Sequence, residues 1–109
     1  MSRKIYNKLI RDKIPKIIEE NNKVYNIEIM NDEQYKNKIN LKILEEVQEL
    51  LESRKHEERV NELADTYKIL EVYIAVNDID AREVEVKKES KLLLRGGFKD
   101  KILLIDVGE

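Results

Sequence analysis

Glu45, Glu46 and Glu49 in one stretch, and Glu62 and Asp65 in another, are the residues of this chain whose type and spacing suit them best to chemistry. Glu46 and Glu49 stand three apart, as do Glu62 and Asp65, so each pair shares a face if its stretch is helical. In an antiparallel helical hairpin, positions equally far from the turn come level with one another. With the turn centred between Lys55 and His56, Glu46 meets Asp65 and Glu49 meets Glu62, and four carboxylates converge. Oxygen ligands with no His or Cys among them suit a hard cation. One or two carboxylates per ion, with water and phosphate completing the shell, is the habit of Mg²⁺, and Mn²⁺ accepts a similar set.

The ordinary alternative is that helical acids form a solvated face. On the first stretch this reading is consistent: with Val47 at the centre of an apolar stripe, Glu45, Glu46 and Glu49 lie on the far, polar side. On the second it is not. Glu62 and Asp65 continue into Ile69, Val72 and Val76 at spacings of three and four, a line separate from the stripe Val60, Leu63, Tyr67 and Ile74. A helix apolar on two sides would hold Glu62 and Asp65 against a partner element, where unneutralised carboxylates are costly. Lys42, four before Glu46, and Lys68, three after Asp65, are the salt-bridge partners expected if no ion is involved. Two lysines against five acids favour a metal.

The elements that must position these acids follow from periodicity. Met1 to Arg11 reads as irregular, and Asp12 with Pro15 reads as the start of a short helix ended by Asn21 and Asn22. Val24 to Met30 alternates as a half-buried strand, with Ile27 and Ile29 on one side. Asn31 or Asp32 caps a long helix from about Glu33 to Ser53, whose apolar positions are Ile39, Ile43, Leu44, Val47, Leu50 and Leu51. Arg54 to Glu57 is the break, with His56 a solvated turn residue, and a second long helix runs to about Val76. Asp78 or Asp80 caps a further helix from about Ala81 to Leu94, stopped by Gly96 and Gly97, and Ile102 to Val107 reads as a closing strand.

The bulk numbers agree with a helical fold. The 109 residues fit one domain, 1–109, and 40% charged residues with only three Gly and one Pro leave little material for an all-β chain. A net charge of −2 with dispersed Lys and Arg offers no footprint for nucleic acid. The absence of cysteine excludes disulfides, thiolate metal sites and a cysteine nucleophile. No apolar run approaches the ~18 residues of a spanning helix and no signal-peptide core is seen, so no membrane is expected and the expected location is cytoplasmic.

The pattern Glu45-Glu46-x-x-Glu49, twelve residues, then Glu62-x-x-Asp65 resembles the signature of the all-α nucleoside triphosphate pyrophosphohydrolase superfamily, the MazG and phosphoribosyl-ATP pyrophosphohydrolase relatives. Lys8-Leu9-Ile10-Arg11-Asp12-Lys13-Ile14-Pro15 and Arg95-Gly96-Gly97-Phe98 resemble the flanks of a small single-domain subgroup. The resemblance implies a mainly α, MazG-like bundle completed by oligomerisation, here with a short peripheral strand pair near the termini. It implies cleavage between the α and β phosphates of a nucleotide, with Glu46, Glu49, Glu62 and Asp65 holding Mg²⁺ and Glu45 a candidate base for the attacking water. Such chemistry needs neutralised phosphates and a positioned nucleophile more than covalent catalysis. Lys8, Arg11, Lys88 and Arg95 are candidate phosphate contacts, each equally readable as a surface charge. Phosphoribosyl-ATP hydrolysis in histidine biosynthesis and a non-catalytic helical dimerisation module are the alternatives. A homodimer or larger assembly is expected on two grounds, the family habit and the two-sided second helix.

Overall fold

Asn31 starts the longest helical segment by a reciprocal cap: its side chain accepts from the Gln34 backbone N–H at 2.9 Å, and the Gln34 side chain accepts from the Asn31 backbone N–H at 3.1 Å. Two of the donors that a helix start leaves unpaired are thereby satisfied. The structure is a computed structural model that describes residues 2–108. Its element order is α1 (Ile14–Glu20), α2 (Asp32–Glu52), α3 (His56–Val76) and α4 (Ala81–Arg95). Pro15 lies in the first turn of α1, where its missing N–H costs nothing. Asp80 caps α4 by accepting from the Arg82 backbone N–H at 2.9 Å, and Gly96, at φ 81°, takes the left-handed conformation that ends it.

The chain forms two compact units, residues 1–78 and 79–109. In the first, α2 and α3 pack against each other as a hairpin joined by Ser53 to Lys55. The break starts one residue earlier and ends two residues earlier than the charge pattern suggests, and His56 is the first residue of α3 rather than a turn residue. The second unit contains α4 and the segment after it.

No strand occurs among the described residues, so the peripheral pair expected at Val24–Met30 and Ile102–Val107 is corrected. Both segments run without regular structure, and Ile29 and Ile102 are almost fully exposed. Alternation describes which side of an extended segment is apolar, but a strand exists only when a neighbour accepts its backbone hydrogen bonds.

The helix faces require a larger correction. Val47 does not face the core: it is exposed, with Leu44 at 67% and Leu51 at 79% exposure, while Glu46 is buried. On α3 Val60, Leu63 and Tyr67 of the expected stripe are likewise exposed while Ile74 is half-buried, and the line Asp65, Ile69, Val72 and Val76 faces inward. The hairpin therefore packs through its acid-bearing faces. Among the described residues Ile39 and Ile69 are the only buried hydrophobic side chains. The stripe expected on α2 is split, with Ile39 buried and Ile43 and Leu50 half-buried while Leu44, Val47 and Leu51 turn outward, and on α3 the mixed face meets the hairpin neighbour.

Candidate metal centre

Glu46 sits at the middle of the α2–α3 contact, 4% exposed. A buried carboxylate needs partners for both oxygens. Oε1 has one, the Lys42 ammonium at 3.4 Å one turn earlier on the same helix. Oε2 has none, nor does the buried Oε2 of Glu62 across the hairpin. Two groups of carboxylates can each bring one oxygen per residue within 4.8 Å of the others: Glu45, Glu46 and Glu49 on α2, and Glu46, Glu62 and Asp65 across the helices. Glu46 belongs to both. The i,i+3 spacing on each helix and the level pairing across the turn account for the convergence.

Three cations stand against these five acids. Lys42 reaches Glu45 Oε1 at 3.3 Å as well as Glu46. Lys8 reaches the same Glu45 Oε1 at 3.1 Å, and the Arg11 guanidinium donates to Asp65 Oδ1 at 2.7 Å. Among the described residues no ion pair is made by Glu49 or Glu62. Lys68, expected as a counterion of Asp65, pairs instead with Glu71 at 3.5 Å on the outer surface. Lys8 and Arg11, singled out in the sequence as phosphate contacts, are thus brought to the acid cluster. Their role as its counterions was not legible, because the partners lie 37 and 54 residues apart in the chain. Lys88 and Arg95 belong to α4 in the second unit, where Lys88 pairs with Glu85 at 3.3 Å.

The electrostatics follow this arrangement. Desolvation, with Glu46 and Glu49 beside it, pushes the Glu62 carboxyl up to about 7. For Glu45 burial acts in the same upward direction, but hydrogen bonds and charge from Lys8 and Lys42 outweigh it and hold the group below the ordinary carboxylate value. The bond to Glu45 in turn raises Lys8, against the opposing effect of desolvation. Thr66, buried beside the acids, satisfies its hydroxyl by donating to the Glu62 carbonyl at 2.7 Å and takes no part in the cluster.

The donor set fits a hard divalent cation. It is all oxygen, it has two buried oxygens lacking partners, and one of its members is raised by like charge and burial in the way a bound cation would reverse. Helical scaffolds that hold divalent ions project carboxylates from facing helices, and the acids of α2 and α3 have that arrangement. The chain belongs to the phosphoribosyl-ATP pyrophosphohydrolase family, whose model matches residues 4–90, and so to the MazG-like all-α nucleoside triphosphate pyrophosphohydrolase superfamily. The match takes in α1, α2, α3 and the Lys8–Pro15 block and ends within α4, short of Arg95–Phe98. No curated protein and no solved structure matches significantly. The family is one of divalent-metal-dependent pyrophosphohydrolases acting on nucleotides.

Proposed function

We propose that this chain is a Mg²⁺-dependent nucleotide pyrophosphohydrolase that cleaves between the α and β phosphates and releases pyrophosphate. The observation that carries the reading is the buried Glu46, shared by both carboxylate groups and facing Glu62 with an unpartnered oxygen on each. Glu46, Glu49, Glu62 and Asp65 would hold the ion, with Mn²⁺ as a substitute. When bound, it supplies positive charge to the phosphates and an activated water.

The remaining roles belong to the chain itself. Lys8 and Lys42 both bind Oε1 of Glu45, so its Oε2 stays outside these ion pairs and can orient or deprotonate the attacking water. The same cations keep Glu45 ionised, as a base must be before it accepts a proton. Lys8 and Arg11, beside the acids, are assigned to the phosphates of the substrate. The family match runs from the N-terminal segment into α4, which supports treating residues 1–109 as one functional domain. The outward stripes Leu44, Val47 and Leu51 on α2 and Val60, Leu63 and Tyr67 on α3 support a homodimer or larger assembly in which a second copy covers them.

The test is pyrophosphate release with Mg²⁺ against a panel of nucleoside triphosphates together with phosphoribosyl-ATP. Release abolished by EDTA is expected. Preference for phosphoribosyl-ATP in competition would assign the histidine-biosynthesis reaction, and metal binding without release from any nucleotide would favour a non-catalytic helical module.

A further inference from the structure

Residues Asn7 to Arg11 form no helix or strand, yet they are tied across the hairpin at three points. Lys38 on α2 donates to the Asn7 carbonyl at 2.9 Å, and Asn7 holds a positive φ of 46° that redirects the chain there. Lys8 then binds Glu45 on α2, and Arg11 binds Asp65 on α3. Leu9 and Ile10 are half-buried, and a water-sized cleft of about 20 Å³ remains under the segment against Leu41 and Lys42. Two ion pairs hold the segment beside this apolar packing, and both use carboxylates that belong to the two metal-competent groups.

We infer that residues 7–11 are a metal-released strap: Arg11 neutralises Asp65 until a divalent ion enters the cluster, and the ion then competes for that carboxylate and frees the guanidinium for the phosphates of the nucleotide, while Lys8 stays on Glu45. The inference rests on the metal-centre reading above and adds to it an order of events and a competition. An ion drawing Asp65 toward itself weakens the 2.7 Å bond to Arg11. The guanidinium, 62% exposed, has solvent on its other side and moves without disturbing the core. The Lys38–Asn7 bond uses no cluster carboxylate, so the strap stays hinged at its N-terminal end while its far end lifts.

Competition makes a prediction opposite in sign to a purely supporting role. Titration calorimetry of the full chain with Mn²⁺, without nucleotide, should show Arg11→Gln binding the ion about two- to five-fold more tightly than wild type, the range set by a partly exposed ion pair. Arg11→Lys, which keeps the charge, should stay near wild type. Lys68→Gln, outside the cluster, should not change. Backbone hydrogen exchange at residues 7–11 of the wild-type chain should quicken when Mn²⁺ is added while that of α2 and α3 slows. If Arg11→Gln binds Mn²⁺ equally or more weakly, or residues 7–11 become more protected with the ion, the strap is part of the bound state and the inference is overturned, with the metal centre intact. If wild type binds no Mn²⁺, the metal-centre reading fails and the inference with it.

Discussion

Removing the charge of Glu62 should make the metal-free protein insensitive to pH in the range where the wild type is most sensitive. The folded chain holds this carboxyl at about 7 against an ordinary 4.5, so the folded state binds the proton more tightly than the unfolded one. Stability from this group is fully present below about 4.5 and is lost as pH rises through about 7. The gap corresponds to about 3 kcal/mol, an upper figure because Glu62 keeps some solvent contact. Glu45 has the opposite sign, being held low, but its contribution is lost only as pH falls below the ordinary carboxylate range. The window between pH 5 and 8 therefore reports Glu62. In EDTA, at fixed protein concentration, the wild-type Tm should fall by on the order of 10 °C from pH 5 to pH 8. Glu62→Gln should remove most of that fall. Mg²⁺ at about one hundred times its Kd should return about 2.7 kcal/mol at pH 8 and little at pH 5, where a proton competes with it. Scanning calorimetry of both chains at the two pH values measures all of this. Equal slopes in wild type and Glu62→Gln, or a wild-type Tm that rises with pH, would refute the assignment of the acid cluster as an electrostatic burden centred on Glu62.

Glu45→Gln should retain Mg²⁺-dependent binding of a non-hydrolysable nucleotide analogue and lose turnover by roughly 10²- to 10⁴-fold, whereas Glu49→Gln should lose both; calorimetry paired with pyrophosphate release separates them. Leu44→Glu, on the outward stripe of α2, should weaken self-association by about ten-fold or more without loss of helix content, and a wild-type monomer at micromolar concentration in light scattering would remove the basis for that expectation. Asn31→Ala breaks the reciprocal cap of α2 and should cost about 1 kcal/mol, seen as a Tm lower by about 5 °C.

The helices were legible because their ends carry local chemistry. Asn31 with Gln34, Pro15, Asp80 and Gly96 each act within a few residues of themselves, and the structure places a helix boundary at every one. The level pairing of Glu46 with Asp65 and Glu49 with Glu62 was equally accessible, since it needs only a helical rise and a turn position. Which face turns inward was not. Periodicity found two lines on α3, but choosing the more apolar as the buried one assumes that the chain covers its own apolar surface. Here Val60, Leu63 and Tyr67 stay outside while Asp65 and Ile69 go in. The strand expectation at Val24–Met30 failed for a related reason, because a pairing partner is not a property of the segment. Lys8 and Arg11 were visible as cations near the N-terminus, and nothing local could indicate that they close on acids in α2 and α3.

The two kinds of counterion differ in how soon they can act as the chain folds. Lys42 is three residues from Glu45 and four from Glu46, so that pairing forms with the first turns of α2 and requires no long loop to close. Arg11 reaches Asp65 across 54 residues, a closure that must wait for the α2–α3 hairpin and then order a segment with no hydrogen-bonded structure of its own. Loop closure of this length predicts that the hairpin assembles first and the N-terminal segment docks after it. Contacts absent from the transition state govern the unfolding rate rather than the folding rate, so loss of Arg11 should hasten unfolding and leave refolding almost unchanged.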